Sequence, residues 1–207
     1  MPWIDHENIK AVVWPGLPGQ ETGNSLADVL FGDVNPSGRL PYTIAKKEED
    51  YAAHVTPESN IEYTEKLEVG YRHFDSSDIE PLFAFGHGLS YSTFEYGNIK
   101  VNTNHGKKDV LATVTAFVKN TGDVDGAEVP QVYVSFPESA EEPPKVLRGF
   151  ERVFIKSGKQ TKVTFEFKEI DLSIWTEESG WTVPEGEYTV HVGSSSRDIY
   201  QTATFSL

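Results

Sequence analysis

The chain has no cysteine among its 207 residues. That excludes disulfides, thiolate metal centres and a cysteine nucleophile, though it identifies no compartment. No run of eighteen apolar residues is present, so no segment reads as a membrane-spanning helix. The first ten residues, MPWIDHENIK, lack the apolar stretch of a signal peptide. Basic residues are few. Eighteen Lys and Arg stand against 32 Asp and Glu, giving a net charge of −14. Nucleic acid and anionic membranes call for a basic face, so neither is an expected partner. Neutral ligands remain compatible.

What is present is the composition of a globular chain, long enough for one large domain or two small ones. Its organising stretch is PLFAFGHGLSYSTF (81–94), where Phe83, Phe85, Tyr91 and Phe94 surround Gly86 and Gly88. Glycines allow close backbone approach and the rings supply apolar area. A flexible linker would instead be polar or Gly/Ser-rich. This segment reads as a packed joint, with a domain boundary near Ser92. Residues 1–91 form one expected unit and 92–207 the other.

Ahead of the joint the pattern is mixed. Ala11–Trp14 (AVVW) is a short apolar run of the kind found in a buried parallel strand. Such a strand needs neighbours on both sides, so the front of a domain is expected to be missing. A turn-rich loop, PGLPGQETG (15–23), leads into a helix from about Ser25 to Phe31. Asn24 or Ser25 can cap that helix, Leu26, Val29 and Leu30 give it an apolar stripe, and Gly32 ends it. Gly16, Gly19 and Gly23 do not match G-x-G-x-x-G and no Gly-Lys-Ser/Thr follows, so a tight turn is favoured over a phosphate cradle. Residues 46–60 read as an acidic surface loop, and Ile61–Phe74 as containing one short strand. His73 and His87 have no partner at metal-ligand spacing, which favours packed or hydrogen-bonded roles.

From Phe94 the period becomes two. Val110, Ala112, Val114, Ala116 and Val118 share one face. Val132, Val134 and Phe136 alternate with Gln131, Tyr133 and Ser135, so the latter three are expected to point outward. Val146–Ile155 is extended; Thr161, Val163, Phe165 and Phe167 form a further inward row, as do Tyr188, Val190 and Val192. Turns fall at Asn120-Thr121-Gly122, Ser157-Gly158 and Pro184-Glu185-Gly186. With Phe94–Val101 and Ile199–Leu207, about seven main strands fit an immunoglobulin-like sandwich. Trp175 and Trp181 are expected as core or edge aromatics, although exposed tryptophans can bind sugars. The fold class is mostly β: a fibronectin type III-like sandwich preceded by a partial α/β sandwich domain.

These segments also carry a resemblance. AVVWPGLPGQETGNSLADVLFGDVNPSGRLPYT (11–43), VGYRHFD (69–75) and FAFGHGLSYSTF (83–94) are similar to the end of the α/β sandwich domain of fungal-type β-glucosidases of glycoside hydrolase family 3. VKNTGDVDGAEVPQVYVSFP (118–137), KVLRGFERV (145–153), DLSIW (171–175) and PEGEYTVHVGSSS (184–196) resemble the fibronectin type III-like domain of the same enzymes. The resemblance implies a parent that hydrolyses terminal β-glucosidic bonds in carbohydrate or cellulose breakdown, in an extracellular setting. It also implies that the nucleophilic aspartate lies in an N-terminal barrel and the acid/base glutamate upstream of residue 11. No catalytic, cofactor-binding or metal-binding residue is therefore carried over to this chain.

The residues agree on their own terms. Retaining hydrolysis needs two carboxyl groups about 5–5.5 Å apart. The pairs Glu48/Glu49, Glu141/Glu142 and Glu177/Glu178 lie in polar, turn-like stretches, where carboxylates are expected to stay solvated with ordinary pKa values. A Ser-His-Asp site lacks its G-x-S-x-G elbow. The leading expectation is a scaffold piece of a β-glucosidase: a truncation, a nicked chain or an incomplete gene model. Its partners are then the parent's barrel and the rest of its α/β sandwich. The alternative is a free-standing fibronectin-like binding or interaction module, which would not need residues 1–90.

Overall fold

The computed structural model describes residues 1, 3–57, 59–103 and 110–207. Its core is a two-sheet sandwich built from the alternating rows. One sheet joins β1 (Phe94–Thr103), β2 (Ala112–Asn120) and β7 (Gln160–Phe167) in the order β1-β2-β7. The other joins β4 (Gln131–Ser135), β5 (Val146–Phe150), β10 (Glu187–Gly193) and β11 (Ile199–Ser206) in the order β11-β10-β4-β5. All these pairs are antiparallel.

Register explains why the core closes. Small residues of β2 sit opposite large ones of β7: Ala112 pairs with Phe167, Ala116 with Val163, and Val114 with Phe165. In the second sheet Val190 pairs with Val134 and Val192 with Val132. These side chains are buried and form one cluster with Tyr96, Leu172, Tyr188 and Phe205. Large and small side chains facing each other fill the space between sheets without voids. Tyr188 stacks on Phe205 at 5.1 Å and its hydroxyl donates to the Pro184 carbonyl at 2.6 Å. That contact to a carbonyl four positions upstream is the tyrosine-corner device of immunoglobulin-like sandwiches.

One expected strand divides: Val146–Ile155 separates into β5 and β6 (Val153–Ile155), while a short β3 (Gly126–Glu128) precedes β4. β5 stays with β4 while β6 crosses to pair with β3. The chain turns this corner with Glu151 N–H donating to the Pro130 carbonyl at 3.2 Å. A one-turn helix and a hairpin of β8 (Ile174–Thr176) and β9 (Gly180–Thr182) were not legible in the pattern, being three or four residues each.

Ahead of β1 the structure departs further from expectation. Ala11–Trp14 is not a strand; it has no regular structure and is exposed. No described segment lies alongside to complete a parallel ladder, and an extended backbone without that ladder gains nothing over water. Helix α1 spans Thr22–Phe31, starting earlier than expected, so Asn24 and Ser25 are inside it rather than capping it. Asn24 donates to Glu21 Oε2 and Ser25 to the Glu21 carbonyl, both at 2.8 Å. Gly32 does end the helix, in the left-handed conformation that glycine adopts without strain. No residue of α1 is buried. Ile61–Phe74 contains no strand; instead α2 (Tyr71–Ser76) follows Gly70. Residues 46–57 are mostly exposed loop, as expected, with one 3₁₀ turn at Glu48–Asp50.

Candidate functional site at the joint

The densest polar chemistry lies where residues 34–91 meet the four-stranded sheet. The sequence of α2, YRHFD, places Tyr71, Phe74 and Asp75 at i, i+3 and i+4, hence on one face of the helix. That face docks on the sandwich. Phe74 is fully buried. Tyr71 stacks on Phe85 at 4.7 Å and meets Tyr133 edge-on at 5.8 Å, while its hydroxyl accepts from the Leu147 amide at 2.8 Å. Burial pushes the Tyr71 phenol above its ordinary pKa.

Asp75 anchors the contact. Its side chain is 4% exposed, with Lys145 Nζ at 2.5 Å and Arg197 Nε at 2.9 Å. The same guanidinium donates to the carbonyls of Phe74 and Ile79 at 3.0 and 2.9 Å. It thus serves both a carboxylate and the open C-terminal end of α2, where carbonyls need donors. Two desolvated charges on one carboxylate satisfy the condition under which a buried ion is tolerated.

Gln131 and Tyr133 correct the outward assignment: both are buried. Val132 and Val134 face the sandwich core, so the other side of β4 must be covered, and the joint covers it. Tyr133 donates to Gln131 Oε1 at 2.5 Å. Gln131 Nε2 in turn donates to the carbonyls of Gly86 and Ser194, at 3.1 and 2.6 Å. Gly86 has φ of +81°, and an added Cβ would lie 2.1 Å from Gln131 Oε1. Only glycine fits there.

A second network lies beyond it. Arg39 reaches Glu128 at 2.6 Å and donates to the Gly88 carbonyl; Tyr96 donates to the other oxygen of Glu128 at 2.7 Å. Glu128 is buried, and desolvation, then the Glu128 charge, holds the Tyr96 phenol protonated far above its ordinary pKa. Asn35 bridges as well, accepting from Tyr91 N at 2.8 Å and donating to the Asp125 carbonyl at 3.1 Å. These contacts hold residues 34–91 to the sandwich, although Arg39 Nε is buried without a hydrogen-bond partner.

The residues weighed in the sequence are scattered. Glu48, Glu49, Glu177 and Glu178 are exposed. Glu142 departs from expectation: it is half-buried, and desolvation raises its carboxyl above the usual range. His73 Nε2 lies 3.2 Å from the Asp50 carbonyl, and His87 stacks on Phe83 at 5.5 Å, its pKa lowered by burial. Among the described residues no three His, Asp or Glu side chains gather as a metal site. A depression of about 600 Å³ is lined by Ala52, His54, Glu62, Tyr63 and Glu65 among others. Trp175 and Trp181 face each other across the hairpin at 5.8 Å and stay 62% and 61% exposed, so they are edge aromatics and not core. Sequence reasoning missed Asp75, Lys145, Arg197, Arg39, Glu128 and Gln131. The one signal was a polar side chain inside an apolar row, at Glu128 and Gln131.

Comparison with known proteins decides what this joint belongs to. Residues 1–91 match the model of the glycosyl hydrolase family 3 C-terminal domain, and residues 128–196 match that of the fibronectin type III-like domain. Both matches point to glycoside hydrolase family 3. It is 44% identical to a probable β-glucosidase D of Aspergillus niger, covering 99% of this chain and 29% of that protein. The crystal structure of a β-D-glucoside glucohydrolase from Trichoderma reesei superposes with a TM-score of 0.91 at 43% identity, over 96% of this chain and 30% of that one. The structure of β-glucosidase 3B from Thermotoga neapolitana gives 0.83 at 37% identity over 91% of this chain and 27% of its own. The chain thus matches the C-terminal part of family 3 β-glucosidases and spans about 30% of their length. No described helix is long and apolar enough to cross a membrane.

Proposed function

We propose that this chain is the C-terminal scaffold portion of a β-glucosidase, organised as an α/β remnant over residues 1–91 and a fibronectin-like sandwich over 92–207. It supplies no nucleophile and no acid/base; both carboxyl groups of retaining hydrolysis come from the rest of the family 3 polypeptide. Hydrolysis of terminal β-glucosidic bonds, carbohydrate or cellulose breakdown and an extracellular setting belong to that complete enzyme. The observation that carries this reading is the surface of residues 11–34. Trp14, Leu17, Leu30 and Phe31 are all exposed, Phe31 at 85%, and α1 buries nothing. An apolar surface of that kind marks a place where more protein packs.

The test is an assay of the purified chain with an aryl β-glucoside. No turnover above buffer is expected. Turnover in a sample free of co-purifying glucosidase would place the catalytic pair inside this chain and end the proposal. The second reading, a free-standing binding module, is favoured by one observation, the exposed Trp175/Trp181 pair. Its rings stand at 71° to each other and offer no common flat face for a sugar ring. Retention on insoluble glucan that is lost on Trp175→Ala would raise it above the first.

A further inference from the structure

The strongest unexplained chemistry outside the joint is Arg148. Its guanidinium carbon lies 5.1 Å over the Phe136 ring, and its buried Nε has no hydrogen-bond partner. Arg39, Lys145 and Arg197 all have carboxylates within 4 Å; among the described residues neither Arg148 nor Arg72 does. Arg72 lies near enough for its charge to act on Arg148, and its own Nε donates to the Val69 carbonyl at 3.3 Å. Burial first, and the like charge of Arg72 after it, lower the Arg148 pKa. Glu142 and Asp171 act on Arg148 from beyond ion-pair distance, Asp171 Oδ2 already accepts from Lys168 N, and Glu142 is shared with Arg72. A partly desolvated guanidinium with no carboxylate in ion-pair contact fits an incoming planar carboxylate.

We infer that Arg148 and Arg72 receive a carboxylate side chain from the remaining part of the family 3 polypeptide, forming an ionic lobe of the docking surface. Three observations select that occupant. The relatives carry more than twice as much further chain, the cationic spot stands on a surface of net charge −14, and exposed Leu67 and Val69 continue from Arg72 as apolar contact area. The inference rests on the scaffold reading above.

The experiment uses the T. reesei relative with its C-terminal region replaced by this chain, alongside the chain alone. In the chimera Arg148→Gln should lower the thermal midpoint by about 2 °C or more, and Arg148→Lys by less, since it keeps the charge and loses the fork. In the chain alone Arg148→Gln should leave the midpoint unchanged or raise it, because an unpartnered buried donor is removed. Equal shifts in both settings would overturn the inference and leave the scaffold reading intact. An unfolded or inactive parent chimera would overturn the scaffold reading and the inference with it. Dimerisation of the chain alone that Arg148→Gln abolishes would assign the site to a second copy and overturn it too.

Discussion

Asp75 and Lys145 stand 70 positions apart and meet at 2.5 Å, joining the helix before the sandwich to the residue just ahead of β5. Arg197 completes the contact from the loop between β10 and β11. This places one carboxylate between two cations at a surface that neither segment could complete alone.

Substituting Asp75 with Asn should therefore destabilise the chain by about 2–3 kcal/mol. Removing one member of a buried ion pair costs roughly 3–5 kcal/mol, and partial exposure of Lys145 and Arg197 screens some of it. Urea unfolding at constant slope gives the number. A change below about 0.5 kcal/mol, the size of ordinary surface substitutions, would show that the network is not holding the joint.

Gly86→Ala should loosen the same joint by a different route. The positive φ costs an alanine of order 1 kcal/mol, and the added carbon would displace Gln131 from its carbonyl partners. A loss of about 2–3 kcal/mol follows, since orphaned buried carbonyls add about 1–3 kcal/mol. Unchanged stability would mean that Gln131 can move aside freely.

In the sandwich, Phe165→Ala should cost about 3–5 kcal/mol. Phe165 lies in the core cluster with Val134 and Val190, which are fully buried. A small effect, measured by denaturation of the chain or of residues 92–207 alone, would place the residue outside the shared core.

Hydrogen exchange should divide the chain. Amides of residues 11–31 are expected to exchange much faster than those of β2 and β7, whose bonds are buried in the sheet. Helix α1 is ten residues long with no buried side chain, too short to persist by propensity alone. Equal protection in both regions would contradict the exposed surface on which the scaffold proposal stands.

His191 gives a pH dependence with a definite sign. It is half-buried on β10 with Ser135 Oγ at 2.8 Å, and burial first, then Lys145, lowers its pKa below 6.5. The unfolded chain thus binds this proton more readily than the native one. The stability from neutral His191 is complete above pH 6.5 and is lost as pH falls from there through the folded-state pKa. His191→Gln should flatten the stability profile in that window, as the difference between the two unfolding curves would reveal. His87, also lowered by burial, contributes in the same direction and is common to both curves. Parallel profiles would remove His191 from the account.

The rows Val110–Val118, Thr161–Phe167 and Tyr188–Val192 were readable before any coordinates, because alternation and burial on one face are properties of a strand itself. Gly32 was readable as a helix end for a similarly local reason. Ala11–Trp14 was not, since an apolar run becomes a strand only where a neighbouring backbone accepts its hydrogen bonds. Gln131 and Tyr133 were misassigned for the converse reason: their face is outward in the sandwich alone and buried once residues 34–91 cover it.

Local pattern therefore determined the sandwich, its turns, the joint at Pro81–Phe94 and the resemblance to family 3. Tertiary structure alone decided which charges meet there. Asp75 with Lys145 and Arg197, and Arg39 with Glu128 and Tyr96, are long-range partners whose pairing no periodicity encodes. An ion pair depends on distance in space and on the water excluded around it, and both are set only when residues 34–91 pack on the sandwich.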